Sequence, residues 1–380
     1  MQEENYMQKK LIALAVAGLV SAPAFAQSNV TVYGLVDVGF SNLGGSSTHK
    51  NRSGIDSGLQ SGSRIGFRGV EDLGNGLKVA FVLEQGLNVD RNTSGGLLGG
   101  STNRQSYLAL VGNFGTFAFG RQYTPQHTFF DSIDPFNTGT VGNVENLYAT
   151  GVNSAVGADL GAGAIRLDNV VAYVSPDFGG LTVTAAYTAN GLADESATEK
   201  NTKSTDAKVW AINPVYKNGP LLVGLNYHRI TIDSLDGTSN NDAKNSVWDL
   251  GGAYDFGAVR LSALYGKSKL SGDAIDTLGI KNTQTSWLVG ATIPVSEAGK
   301  VLVSYIKTEL DYSSSTGLKD RDAKKFSIGY THDLSKRTNL YAAYAKLSSD
   351  KVGDDLAFDS VFRNESNYKR GINIGLRHKF

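Results

Sequence analysis

The chain has 380 residues, of which 36 are basic and 36 acidic, and it contains no cysteine. A formal net charge of zero provides no overall field for nucleic acid. The absence of thiols excludes both a disulfide framework and a thiolate metal site. The length allows one large β domain or two ordinary domains.

The first segment has the three parts of an export signal. A short basic start at 7–10 precedes the apolar run LIALAVAGLV at 11–20, and SAPAFA at 21–26 supplies a cleavage pattern of small residues. We therefore predict a cleaved signal peptide at 1–26. The mature protein, residues 27–380, is then one domain outside the cytoplasm.

After residue 26 the dominant pattern is an alternation of apolar and polar residues with a period of two. In Lys78–Glu84, for example, Val79, Phe81 and Leu83 share one face, and Ala80, Val82 and Glu84 share the other. No apolar run approaches the ~20 residues of a membrane-spanning helix. A membrane protein with this pattern has to be a closed β-barrel.

The connections between these strands alternate in length. Seven short turns, such as 72–76 and 176–180, alternate with eight long polar segments, such as 43–62 and 122–165. Together they join sixteen strands. Short periplasmic turns and long extracellular loops are typical of even-stranded outer-membrane barrels. We predict an all-β protein, a 16-stranded antiparallel transmembrane β-barrel.

The alternative all-β fold is a soluble sandwich or propeller. Aromatic residues near strand ends favour the membrane barrel, because they form two interfacial girdles; examples are Trp210 with Tyr216 and Trp248 with Tyr254. The other face carries Gly, Ser, Asn, Lys and Arg, which suit a wet lumen. Leu302 and Ile306 interrupt the polar face of their strand.

The two ends of the mature chain are predicted to close the barrel. A barrel has no free edge, so the last strand must pair with the first. Tyr368–Phe380 alternates strictly and has an alternating partner in Val30–Val38. Phe380 then lies in the periplasmic aromatic girdle.

Several short motifs together resemble the general porins of β-proteobacteria, the family that includes the neisserial porins. They are TVYGLVD at 31–37, SRIGFRG at 63–69, FGRQ at 119–122 and GLRHKF at 375–380. The resemblance implies a water-filled homotrimeric barrel in the outer membrane of a Gram-negative bacterium, in contact with lipid and lipopolysaccharide. It implies a third loop folded inward as a constriction. It also implies that the barrel-assembly machinery reads the last strand through Ile374, Leu376, His378 and Phe380, although His378 departs from the commoner aromatic residue.

The longest loop, about 122–165, is the candidate constriction. Its acidic residues Asp131, Asp134, Glu145 and Asp159 could form one charged side of a narrow passage. Its apolar residues could pack it against the barrel wall; these are Phe129, Phe130, Ile133 and Phe136.

The opposite side of the passage is predicted to be basic. If Ile65 and Phe67 point outward, Arg64 and Arg68 point inward. If Tyr107 points outward, Arg104 and Ser106 point inward. Arg121 and Arg166 flank the long loop. The resemblance implies a ladder of basic residues facing the loop, which Arg64, Arg104 and Arg166 match best, with Arg68 beside it.

These residues predict passive diffusion of small hydrophilic solutes and ions. Guanidinium groups stay charged at every relevant pH, which favours a weak anion preference, whereas the loop acids favour cations. A substrate-specific channel and a plugged or adhesive barrel are the nearest alternatives. An enzyme is disfavoured, since neither G-x-S-x-G nor H-E-x-x-H occurs. The one catalytic grouping that could be drawn is His127 with Asp131 and Asp134, and packing or hydrogen bonding within the loop explains it better. We expect no cofactor, no metal site and no nucleic-acid partner.

Overall fold

The structure is a computed structural model that describes residues 29–46, 49–91, 103–148, 165–191, 207–234, 242–278, 282–312, 320–349 and 368–380. The predicted signal peptide at 1–26 and Asp159 lie outside these ranges. Within them, no helix combines the length and the apolar character needed to cross a membrane.

All the strands described belong to one antiparallel sheet. The first half of the chain contributes β1 (Asn29–Gly44), β2 (Arg52–Ser57), β3 (Arg64–Gly74), β4 (Leu77–Gly86), β5 (Asn103–Gly112), β6 (Gly115–Tyr123), β7 (Arg166–Val174) and β8 (Leu181–Thr188). The second half contributes β9 (Ala207–Asn218), β10 (Leu221–Ile232), β11 (Ala243–Asp255), β12 (Arg260–Ser271), β13 (Asn282–Pro294), β14 (Gly299–Tyr312), β15 (Arg321–Asp333), β16 (Thr338–Ser349) and β17 (Arg370–Lys379). The described residues also contain three short helices, α1 (Pro125–Ile133), α2 (Glu145–Tyr148) and α3 (Asp273–Leu278).

The sheet has 17 strands but closes as a 16-stranded barrel, because β2 and β3 share one position in the wall. β1 pairs with β3 over Asn29–Leu35 and with β2 over Val38–Leu43. The predicted barrel is confirmed. The prediction that 43–62 is entirely loop is wrong, since residues 52–57 form a strand. Residues 58–63, which we call the inner bend, interrupt the wall between β2 and β3.

Closure of the barrel follows from pairing of β1 with β17. The register runs from Leu35 opposite Lys379 to Gly44 opposite Arg370. Gly34 and Phe380 exchange two backbone hydrogen bonds of 3.1 and 3.0 Å. The predicted closure is therefore confirmed, and residues 34–38 of the predicted partner Val30–Val38 do pair with the end of the chain. The pairing then continues to Gly44, whereas residues 30–33 pair with β3.

The outer and lumenal faces follow the predicted alternation over most of the wall. Apolar side chains dominate the outer face, as at Leu83, Leu250 and Ile374, while Asn226 and Asp249 on the lumenal face are completely buried. An aromatic girdle runs across adjacent strands, where each tryptophan packs 5.0–5.5 Å from a tyrosine; the pairs are Trp210 with Tyr227, Trp248 with Tyr265 and Trp287 with Tyr305. This single row agrees with one of the two girdles predicted, although Trp248 and Tyr265 lie inside their strands and not at the strand ends.

Candidate functional site

The third long loop turns into the lumen directly after β6. Thr124 caps α1, because its hydroxyl oxygen accepts a hydrogen bond of 3.1 Å from the amide of His127. Pro125 follows at the first helical position, where its missing N–H has no helical partner to lose. α1 buries Phe129, Phe130 and Ile133 against the wall, as the sequence predicted.

The wall provides an apolar seat for this loop. Leu222, Leu264 and Leu288 on neighbouring strands pack in the same cluster as the phenylalanines of the loop. Leu302 and Ile306, which interrupt the polar pattern of β14, belong to this seat. Burying each large apolar side chain contributes about 1.5–3 kcal/mol, so the seat holds the loop firmly.

Polar side chains from the wall bind the loop backbone along its length. Each is a lumen-facing side chain of a strand that forms a hydrogen bond with a backbone amide or carbonyl group of the loop. They are Arg260 to the Ser132 carbonyl at 2.6 Å, Gln284 to the Tyr148 carbonyl at 2.5 Å, Asn373 to the Val141 amide at 2.8 Å, and Lys325 to the carbonyls of Val141 and Asn143. The part of the loop that the structure describes is therefore held to the wall by four strand residues.

Two of the three loop acids in the described residues serve the structure of the loop itself. Asp134 is 2% exposed and accepts hydrogen bonds of 3.0–3.1 Å from the amides of Phe136, Thr138 and Val144. Glu145 is 1% exposed and lies 2.6 Å from Nδ1 of His127. Of these three acids, Asp131 alone is partly exposed to the lumen. The described part of the loop, which ends at residue 148, therefore offers less negative charge to solutes than its sequence indicates.

The tip of the loop has a strained backbone that Asp134 helps to hold. Asn137, Thr138 and Thr140 have φ angles of 50°, 52° and 58°. This left-handed region is unfavourable for side chains branched at Cβ, and such strain persists only where the surroundings enforce it. Because Asp134 binds amides on both sides of the tip, its carboxylate has this structural role.

An arginine cluster lies on another part of the lumenal wall, on β3, β5 and β7. The Nε atoms of Arg64 and Arg104 lie 3.4 and 3.6 Å from the two oxygens of Glu84. The hydroxyl of Tyr123 accepts hydrogen bonds of 2.7 Å from Arg104 and 3.0 Å from Arg166. Arg64 and Arg104 thus share the carboxylate of Glu84, and Arg166 joins them through Tyr123. With three guanidinium groups and one carboxylate, the cluster carries a net positive charge.

Arg68 extends the cluster along the wall. Its guanidinium carbon lies 4.9 Å from the ring centre of Tyr33, whose hydroxyl donates a hydrogen bond of 3.0 Å to Glu84. Sequence reasoning missed the roles of Glu84 and Tyr123. The alternation did place Glu84 on the lumenal face, but only the folded wall shows which arginines it meets.

Arg121, predicted beside the constriction, lies on the outer face of the barrel. It is directly opposite Ser106, which is opposite the outward Leu83, and residues paired directly across an antiparallel sheet share a face. Arg121 forms an ion pair of 2.5 Å with Asp168. The outward side chains of Phe117 and Phe119 already place Arg121 on this face by alternation.

The predicted orientation of Tyr107 is also wrong. Tyr107 is 4% exposed and packs with Val82 in the lumen, and Ser106 points outward. Arg104 nevertheless points inward as predicted, because Arg104 and Gln105 together oppose the single residue Glu84 in a β-bulge. The extra residue reverses the alternation between Tyr107 and Arg104.

A closed barrel with an apolar outer face, an inward loop and an arginine-lined lumen defines a membrane channel. Comparison with known proteins identifies the family. Residues 13–352 match the model of the Gram-negative porins. Over 98% of this chain and 100% of each relative, it is 31% identical both to an outer membrane porin of Bordetella pertussis and to outer membrane porin protein 32 of Delftia acidovorans.

A solved structure supports the same assignment. The anion-selective porin from Comamonas acidovorans superposes with a TM-score of 0.73 at 27% identity, covering 93% of this chain and 100% of that one. The chain belongs to the Gram-negative porin family. It is an outer-membrane channel and not an enzyme.

Proposed function

We propose that this porin passes small hydrophilic solutes and ions by passive diffusion, with a weak preference for anions set by Arg64, Arg104 and Arg166. The observation that carries the proposal is the imbalance of charge. The cluster of three guanidinium groups contains one carboxylate, Glu84, while Asp134 and Glu145 are buried in the loop. The structural similarity to the anion-selective porin from Comamonas acidovorans supports the same sign of selectivity.

The test is single-channel recording of the refolded mature protein in a planar bilayer under a KCl gradient. We expect steady openings in groups of three and a reversal potential displaced toward that of chloride. Bilayers that stay silent despite a folded barrel would contradict the channel itself. Conduction with a reversal potential toward potassium would retain the channel and contradict its anion preference.

We further propose the cellular context that the resemblance implies: removal of residues 1–26, recognition of the last strand by the barrel-assembly machinery, and a homotrimer surrounded by lipid and lipopolysaccharide. Ile374, Leu376, His378 and Phe380 support this, because all of them are exposed on the outer face of β17. Intact mass and semi-native electrophoresis of protein from outer membranes test it. We expect the intact mass of a chain that begins at Gln27. We also expect a trimer band that converts to monomer on heating.

The selectivity should depend on pH through Asp131. Burial raises the pKa of Asp131 to about 6, so its carboxylate is negative above that pH and neutral below it. Lowering the pH from about 8 to about 5 therefore removes a negative charge from the passage and strengthens the anion preference.

The reversal potential of wild type and of Asp131→Asn over this range checks the prediction. The variant should behave at every pH as the wild type does at low pH. An identical slope in both proteins would exclude Asp131 as the titrating group.

A further inference from the structure

The inner bend, residues 58–63, leaves the wall of the barrel between β2 and β3. β2 pairs with β1 as far as Val38 opposite Ser57, and β3 resumes at Leu35 opposite Arg64. The bend therefore leaves the sheet partway along β1, which continues unbroken beside it. Leu59 and Ser63 of the bend are buried, and Gln60, Ser61 and Gly62 are partly exposed.

Asp37 fixes the inner bend. It is the last residue of the TVYGLVD motif and is completely buried. One carboxylate oxygen accepts hydrogen bonds of 2.7 and 2.5 Å from the amides of Gln60 and Ser61, and the other accepts one of 2.5 Å from the hydroxyl of Tyr341. A buried carboxylate with three donors holds its backbone partners strongly, because charge-assisted hydrogen bonds exceed neutral ones.

The inner bend contacts the tip of the third loop. The amide of Thr140 donates a hydrogen bond of 2.6 Å to the carbonyl of Leu59. A methyl group added at Gly139 would lie 2.2 Å from the carbonyl oxygen of Gln60, so only glycine permits this approach. The two segments thus meet backbone to backbone.

The other end of the inner bend contacts the arginine cluster. The carbonyl of Gly62 accepts a hydrogen bond of 3.1 Å from Arg64, and a methyl group added at Gly62 would lie 2.6 Å from Nη1 of Arg104. Ser61 accepts a hydrogen bond of 2.8 Å from Arg377, a further lumenal arginine. The inner bend consequently connects the arginine cluster to the tip of the third loop. At its other end the cluster is connected to the start of this loop, because Tyr123 binds Arg104 and Arg166 and the next residue, Thr124, caps α1.

We propose that the inner bend is a second, fixed wall of the constriction and that Asp37 is its positioning residue. The passage is then a closed ring made of the third loop, the inner bend and the arginine cluster, rather than one loop facing a wall. Ser61 and Gln60 line this ring, and Asp37 sets how far they project into it. The proposal rests on the proposed channel function.

The first test uses the absence of native cysteine. Ser61→Cys carries a single thiol, whose thiolate attacks a methanethiosulfonate reagent, forming a disulfide and releasing methanesulfinate. An anionic and a cationic reagent of similar size are applied to open channels. We expect each to lower the conductance by about twofold or more and to move the reversal potential in opposite directions.

Asn51→Cys is the matched control, because Asn51 is exposed and lies beside Gly44 at the end of β1, seven residues along that strand from Asp37. Its labelling should leave both quantities unchanged. The proposal is overturned if the thiol of Ser61→Cys is labelled, as shown by mass, without a change in conductance, or if that thiol resists labelling in a conducting channel. A preparation with no conductance before labelling would instead contradict the channel function.

The second test addresses Asp37. Asp37→Ala removes the acceptor of three hydrogen bonds, whereas Tyr341→Phe removes one donor and leaves both bonds to the bend. We expect greater open-channel noise and a changed reversal potential for Asp37→Ala, and near-wild-type values for Tyr341→Phe. Combined with Ser61→Cys, Asp37→Ala should also speed labelling of the introduced thiol. Equal noise and equal reversal potentials in Asp37→Ala and Tyr341→Phe would overturn the positioning role of Asp37. If Asp37→Ala does not fold, Asp37→Asn is compared in the same way.

Discussion

Replacing Arg64 and Arg104 together by alanine should abolish the anion preference of the channel. The double substitution removes both guanidinium groups that contact Glu84. The net charge of Arg64, Arg104 and Arg166 together with Glu84 then falls from two positive charges to zero. A unit charge at 4 Å is worth about 1 kcal/mol even at the dielectric of water, which is about fivefold in relative permeability. We expect the chloride-to-potassium permeability ratio to fall by about five- to tenfold, as measured from the reversal potential.

Arg121→Ala is the control for this experiment, since it also removes one guanidinium group but from the outer face. Its reversal potential should equal that of the wild type. The difference in permeability ratio between the wild type and the double variant should also become smaller in concentrated KCl. The reason is screening, since the Debye length falls from about 8 Å at physiological ionic strength to about 3 Å at 1 M salt. A shift in Arg121→Ala as large as in the double variant would show that selectivity is set outside the cluster.

Lys325→Met should release the tip of the third loop from the wall. The ammonium group of Lys325 is completely buried and donates hydrogen bonds to the carbonyls of Val141 and Asn143. It also interacts electrostatically with the buried carboxylate of Asp134. Removing one partner of a buried ionic group costs about 3–5 kcal/mol, because the remaining groups lose their compensation.

The measurements are the urea midpoint of the barrel in micelles and the open-channel noise. We expect a lower midpoint and a noisier, larger conductance for Lys325→Met. Lys324→Met is the matched control, because the adjacent Lys324 is exposed on the outer face; its change should stay within about 0.5 kcal/mol. Quiet openings of wild-type size in Lys325→Met would contradict its role as an anchor.

The sequence predicted many of the lumenal side chains correctly, because alternate residues of a strand face opposite sides of the sheet. Arg64 and Arg68 alternate with the outward Phe67, and the structure places both in the lumen. The apolar residues of the third loop also predicted that it packs against the wall. The apolar residues Leu302 and Ile306, which break the polar face of β14, are explained by the same packing. They form part of the wall surface against which Phe129 and Phe130 are buried.

Alternation fails where the backbone gains a residue. The bulge at Arg104 and Gln105 reverses the face of every residue beyond it, so Tyr107 cannot be used to place Arg104. The sequence also could not predict the burial of Asp134 and Glu145. The partners of Asp134 are amides of the folded loop tip, and the partner of Glu145 is the ring of His127. The number of acids in a loop therefore does not measure the charge that a solute meets.

By itself the sequence determined the barrel, its closure and the position of the loop that enters it. These features follow from local periodicity and from turn composition, which each segment carries independently of the others. Only the tertiary structure decided that Glu84 joins Arg64 to Arg104, that Arg121 faces outward, and that Asp37 holds the inner bend against the loop tip. Those contacts join residues from distant strands, and their geometry depends on the register of the closed barrel, which no single segment specifies.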